Sequence, residues 1–233
     1  MRIGLLLCDH VRPGFRVVAG DYPDFFRRLL PDQDVVVFDL PAGEFPQDLA
    51  ACDGWITSGS RHSAYDDVAW IAQFADLVRT LDRQHRRLVG VCFGAQMIAH
   101  ALGGTVRPAA TGWAVGIKEV EVVSEEPWMD PRGSSFRIAH SNADQISSLP
   151  PGARLLGRAQ DVPVSALAVD DHIIGFQGHP EFPAAYSAVL MEARRERPIP
   201  NEVVEAGLNS LHDPPDTDLL GGWITHFFSN PLQ

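Results

Sequence analysis

Four short apolar runs, Ile3 to Leu7, Val35 to Phe38, Trp55 to Thr57 and Leu88 to Val91, recur along the N-terminal part of the chain with helical patterns between them. Each is too short for a helix and too continuously apolar for a strand with one wet face, so each reads as a strand buried on both faces. Asp21 to Leu30 and Val68 to Leu81 read as helices, the second carrying Trp70, Ile71, Phe74, Leu77, Val78 and Leu81 at helical spacing, with Asp66 or Asp67 as its N-cap. Strands alternating with helices are joined by crossovers, which predicts an α/β fold with a mostly parallel central sheet.

Past Gly103-Gly104 the texture changes. Ile117 to Val123, Phe136 to His140, Val164 to Val169 and Ile173 to Gln177 read as strands joined by turns, which predicts an antiparallel or mixed continuation. Beyond Pro183 the chain turns helical, breaks at Arg197-Pro198-Ile199-Pro200, and carries a last amphipathic stretch from Asp218 to Phe228. Its aromatics Trp223, Phe227 and Phe228 read as core or as an oligomer face. No repeat or low-complexity linker interrupts the 233 residues, and 45% hydrophobic content can build a sizeable core. Residues 1–233 are therefore read as one domain with a helical C-terminal extension from about 184.

The run Gly90-Val91-Cys92-Phe93-Gly94 lies where a strand meets a helix. A residue on so sharp a turn is held in a strained conformation while neighbouring backbones pass close by, and glycines two before and two after relieve the crowding. Cys92 is thus the candidate nucleophile, at a helix N-terminus whose dipole favours thiolate over thiol. Gly178-His179-Pro180-Glu181 follows a strand-like run, and in extended chain residues two apart point to the same side, so the His179 imidazole and the Glu181 carboxylate can meet. Cys92, His179 and Glu181 then form a nucleophile, a general base and its orienter. The Phe93 N–H is placed to bind an oxyanion, and a second donor is expected from the loop Thr57-Ser58-Gly59-Ser60 after a strand.

The segments GVCFGAQ, a helix ending in Gly-Gly, and GHPE, in that order, resemble the class I glutamine amidotransferase family. The likeness covers roughly residues 1–190 and is nearest to stand-alone members related to the amidotransferase domain of GMP synthase and to plant γ-glutamyl peptidases. It implies a three-layer, flavodoxin-like α/β fold and hydrolysis of the γ-glutamyl amide of glutamine, or of a γ-glutamyl conjugate, through a cysteinyl thioester, with no metal or organic cofactor. It assigns Cys92, His179 and Glu181 as catalytic, Phe93 with Gly59 or Ser60 as oxyanion donors, and Gln96, His140, Ser141 and Asn142 as substrate contacts. Where the family usually reads Ser-Gly-Gly-Pro, this chain has Ser58-Gly59-Ser60-Arg61, as in the peptidase-like branch, which leaves the second donor open between two N–H groups. With no synthetase domain in the sequence, a stand-alone hydrolase is the first expectation. An ammonia-supplying subunit of a two-protein synthetase and a non-catalytic binding relative are the alternatives.

The remaining features mostly exclude. A formal net charge of −11 opposes nucleic-acid binding, and the basic clusters Arg83 to Arg87 and Arg194, Arg195 and Arg197 read as solvated helix faces. No run reaches the ~20 apolar residues of a membrane span, and the opening residues are not patterned as a signal peptide. Cys8, Cys52 and Cys92 are far apart and odd in number, which suits free thiols and a cytoplasmic setting. Cys8 and Cys52 read as small buried hydrophobes. The other histidines have no metal-binding spacing, and Trp113 reads as a packing residue.

Overall fold

The computed structural model describes residues 1–230. In chain order its elements are β1 (Arg2–Leu7), α1 (Arg16–Ala19), α2 (Tyr22–Leu29), β2 (Asp34–Asp39), β3 (Gly54–Thr57), α3 (Ala69–Arg83), β4 (Leu88–Val91), α4 (Phe93–Ala101), β5 (Thr105–Pro108) and β6 (Ala114–Val122). They continue with β7 (Ser135–Asn142), β8 (Asp144–Ser148), β9 (Arg154–Ala159), β10 (Val162–Val169), β11 (Ile173–Phe176), α5 (Ala184–Glu192), α6 (Asn201–Ser210) and α7 (Thr217–Ser229). The last three residues of the predicted helical tail, 231–233, lie outside the described residues.

A nine-stranded sheet has the order β2-β1-β3-β4-β11-β10-β9-β6-β7, with β5 and β8 as a separate antiparallel pair. The strands β2, β1, β3, β4 and β11 pair in parallel. From β11 onward each neighbour reverses, so β9 and β7 again run with β4, and seven of the nine strands share one direction. The sheet is mostly parallel in direction although half of its pairings are antiparallel.

The alternation of strand side chains sorts the core into two layers. Ile3, Leu5, Ile56, Val89 and Val91 pack on one face with Phe26 and Leu29 of α2 and with Trp223, Ile224, Phe227 and Phe228 of α7. Leu6, Trp55, Leu88 and Ile173 pack on the other with Ile71, Phe74 and Val78 of α3 and with Phe93, Met97 and Ile98 of α4. Each such side chain contributes about 1.5–3 kcal/mol by leaving water. The C-terminal aromatics are therefore core of this chain, and α7 closes the sheet face that α2 leaves uncovered.

Local expectations failed in two places. Strand β2 is an edge strand with only Val35 fully buried, because it has a neighbour on one side only. Helix α3 begins after Val68 with no side-chain cap: the Asp66 carboxylate accepts from the Ser63 amide at 3.1 Å and meets His62 Nδ1 at 3.1 Å, so it is spent in the preceding turn. Helix α2, by contrast, starts on a full capping box between Asp21 and Asp24.

Candidate active site

Strand β4 turns into α4 through Cys92, which has φ of +50° and ψ of −105°, a conformation few residues with a side chain adopt. The flanking glycines are required by close approach. A Cβ on Gly90 would come within 2.8 Å of the Ala95 nitrogen, and one on Gly94 would overlap the Thr57 side chain. The elbow is also pinned from both sides: Val91 N–H donates to Thr57 Oγ1 at 3.0 Å and Cys92 N–H donates to the Phe176 carbonyl at 2.8 Å.

The second of those bonds ties the elbow to the end of β11, three residues before His179. His179 N–H donates to the Ala139 carbonyl of β7 at 2.7 Å, which fixes where the imidazole emerges. Its Nδ1 lies 2.8 Å from Glu181 Oε1, and the ring and the Cys92 side chain line one crevice. Phe182 stacks on the ring with centroids 3.6 Å apart and planes within 14° of parallel. Cys92, His179 and Glu181 are all buried. Burial alone would favour a neutral ring, but the charges of Glu181 and Cys92 outweigh it and raise His179 above its ordinary value.

Gly59 lies against this pair, since a Cβ there would sit 2.7 Å from His179 Cε1 and 3.6 Å from Cys92 Cβ. Ser58 holds the loop in place: its hydroxyl accepts from the Cys8 amide at 2.8 Å and donates to the Gly59 carbonyl at 3.0 Å. Cys92, His179 and Ser60 then open onto a small crevice of about 50 Å³, walled by Asp9, His10 and Arg12 from the loop after β1, by Ser141, and by Phe182, Tyr186 and Arg194. The other two cysteines have structural surroundings. Cys8 donates to the Leu6 carbonyl at 3.3 Å, and burial pushes the thiols of Cys8 and Cys52 up. Among the described residues no group of three or more His, Cys, Asp or Glu side chains is placed to hold a metal ion.

The sequence pattern of the family described as glutamine amidotransferase class-I matches residues 32–188. The chain belongs to the class I glutamine amidotransferase family. It is 32% identical to gamma-glutamyl peptidase 4 of Arabidopsis thaliana over 172 residues, 70% of this chain and 68% of the peptidase. It is 40% identical to a GMP synthase of Thermomicrobium roseum over 94 residues, which are 40% of this chain but only 18% of the synthase. A glutamine amidotransferase from Thermotoga maritima superposes with a TM-score of 0.75 at 20% identity, covering 98% of this chain and 99% of that one, a likeness of fold.

The amidotransferase match contains every site candidate read from the sequence, and the fold brings them together unequally. Ser141 reaches the crevice. Gln96 is buried beneath it, its amide donating to the Asp144 carbonyl at 2.8 Å. His140 and Asn142 are also buried: His140 Nδ1 meets Asn142 Oδ1 at 3.2 Å, and Asn142 Nδ2 donates to the same Asp144 carbonyl at 2.9 Å. This network sets the junction of β7 and β8 behind Ser141.

Six of the wall residues, Asp9, His10, Arg12, Phe182, Tyr186 and Arg194, escaped the sequence reading. Phe182 carries a local signal, an aromatic three residues past His179, while Arg194 reads as a solvated helix face and His10 as one more histidine without metal-binding spacing. His10 instead spans Asp21 and Asp39, with each ring nitrogen 2.8 Å from a carboxylate oxygen. Two members of the basic clusters are likewise not solvated. Arg194 is half-buried in the crevice wall, and Arg87 is buried, donating to the carbonyls of Phe227 and Asn230 at the end of α7. Trp113 packs as expected, beside Val115, Met191 and Val204.

Proposed function

We propose that the protein hydrolyses a γ-glutamyl amide through a thioester on Cys92. The observation that carries this is the strained cysteine of a strand-to-helix elbow beside a buried His179 that Glu181 orients at 2.8 Å. With Nδ1–H donating to Glu181, Nε2 is the nitrogen left for the thiol. Cys92 Sγ bonds to the γ-carbonyl carbon as its proton passes to His179. The tetrahedral oxyanion is held by the Phe93 N–H and by an N–H of Gly59 or Ser60. His179 then protonates the departing nitrogen as the C–N bond breaks. Water, deprotonated by the same ring, attacks the thioester, glutamate leaves and the thiol is restored.

Ser141 contacts substrate in this reading, and Gln96, His140 and Asn142 support it through the β7–β8 junction. The likeness to gamma-glutamyl peptidase 4 over most of both chains favours γ-glutamyl peptides or conjugates as substrates. Cys8, Cys52 and Cys92 are all free, which suits action in the reducing cytoplasm. The shorter likeness to a GMP synthase favours one second reading, a glutaminase that hands ammonia to a synthetase partner.

The test is incubation of the purified protein with glutamine and a panel of γ-glutamyl peptides, beside Cys92→Ala, following glutamate and amine release. Turnover of peptides by the wild type and none by the variant is expected. Equal turnover by both removes Cys92 as nucleophile. Glutamine hydrolysis that appears only with an added synthetase favours the second reading.

A further inference from the structure

We propose that Arg194 is the receptor for a carboxylate of the substrate, so that the crevice selects anionic γ-glutamyl compounds. The γ-glutamyl part of that statement rests on the function proposed above. The carboxylate part rests on the charges around the crevice.

Asp9, the acidic side chain that lines the crevice, and the carboxylates of Asp21, Asp39 and Glu181 beside it are already matched. Asp9 holds Arg61 at 2.7 Å, Asp21 and Asp39 share His10, with Arg16 also on Asp21 at 2.9 Å, and Glu181 holds His179. Arg194 has no carboxylate partner among the described residues. Its guanidinium donates to Ser141 Oγ at 2.7 Å and lies 5.1 Å from the centre of the Trp113 ring. A hydroxyl and an aromatic face position a guanidinium but leave its charge uncompensated.

An unmatched cation held partly out of water is costly, and proteins retain one chiefly where a ligand supplies the counter-charge. Burial lowers the basicity of Arg194, Tyr22, Tyr186 and Cys92 offset part of that, and the nearby Arg12 charge adds to it. Arg12 also lines the crevice and has no carboxylate partner among the described residues, so the two guanidinia leave it with surplus positive charge. A planar fork with most of its five N–H donors uncommitted suits a carboxylate held bidentately. Arg194 and Cys92 wall the same small crevice, which brings a carboxylate on Arg194 within a substrate's length of the reacting sulfur. Residue 194 lies just beyond the stretch matched by the family pattern, 32–188, while Ser141 and Trp113, which hold it, lie inside that stretch.

A γ-glutamyl peptide offers two carboxylates, the α-carboxylate of the glutamyl group and the C-terminus of the departing amine. The chemistry at Arg194 is the same for both.

The first experiment needs no turnover: rates of Cys92 alkylation by iodoacetate and by iodoacetamide, read by peptide mass, in wild type, Arg194→Met and Arg194→Lys. The ratio of iodoacetate to iodoacetamide rates should fall about tenfold in Arg194→Met, with Arg194→Lys between the two. An unchanged ratio in folded Arg194→Met overturns the proposal. Should that variant be unstable, the wild type alone decides: glutarate should shield Cys92 from iodoacetamide where glutaramide does not, and equal shielding overturns it. The second experiment compares kcat/KM of a γ-glutamyl dipeptide with its two mono-amides in wild type and Arg194→Met. The mono-amide on which the substitution no longer matters names the carboxylate that Arg194 binds. Equal losses on all three substrates overturn the proposal. An Arg194-dependent alkylation ratio without turnover of any γ-glutamyl compound would reject the function while keeping the carboxylate site.

Discussion

The amide of Cys92 donates to the carbonyl of Phe176 across 2.8 Å, joining the end of β4 to the end of β11. Through that bond the strand that carries the candidate nucleophile and the strand that leads into His179 and Glu181 are held in one register. The relative placement of sulfur and imidazole thus depends on sheet pairing, which is stiff, more than on the loops around them.

The elbow predicts a steric coupling between Gly94 and Thr57. Gly94→Ala places a methyl group against the Thr57 side chain and should cost about 1–3 kcal/mol in urea unfolding. In a Thr57→Gly background the same substitution should cost measurably less. Additive costs would mean that the two residues do not meet.

His140 predicts acid sensitivity. Its Nδ1–H donates to Asn142 Oδ1, its Nε2 is buried without a partner, and burial lowers it to about 4 against an ordinary 6.5. A base depressed in the folded state contributes stability that is present above 6.5 and is lost as pH falls through the folded value. Between pH 7 and pH 4 the wild type should lose about 1–3 kcal/mol more than His140→Gln. Parallel pH profiles for the two proteins would exclude His140 as the source.

The stacking of Phe182 on His179 predicts a kinetic signature. Phe182→Leu keeps an apolar side chain but gives the imidazole no flat surface, and kcat should drop about tenfold with KM little changed. A change confined to KM would place Phe182 in substrate binding.

Arg87 predicts a stability effect far from the crevice. Arg87→Met would leave the carbonyls of Phe227 and Asn230 without their donor and should cost about 2–4 kcal/mol in denaturant unfolding. A loss below half a kcal/mol would show that other donors replace it.

What could be read in advance was what neighbours in sequence decide. Gly90, Cys92 and Gly94 lie within five residues, and His179 and Glu181 within three, so the elbow and the His179–Glu181 pair were legible as patterns. Asp66 looked like a helix cap because its competition with Ser63 and His62 for the carboxylate is not visible in propensity. Arg194 looked like any charge on a helix end because Trp113 and Ser141, which hold it, come from distant segments that only the fold unites. Gln96 has an expected substrate role, and its bond to the Asp144 carbonyl could not be foreseen from an amide near the elbow.

The contact of Arg87 with the end of α7 sets an order on biosynthesis. Arg87 immediately precedes β4, and its partners Phe227 and Asn230 follow it by 140 and 143 residues, at the end of α7. A ribosome that has already extruded Cys92, His179 and Glu181 has still not made the groups that moor the start of the strand leading to Cys92. The N-terminal end of β4 is therefore left without this anchor until α7 has been made.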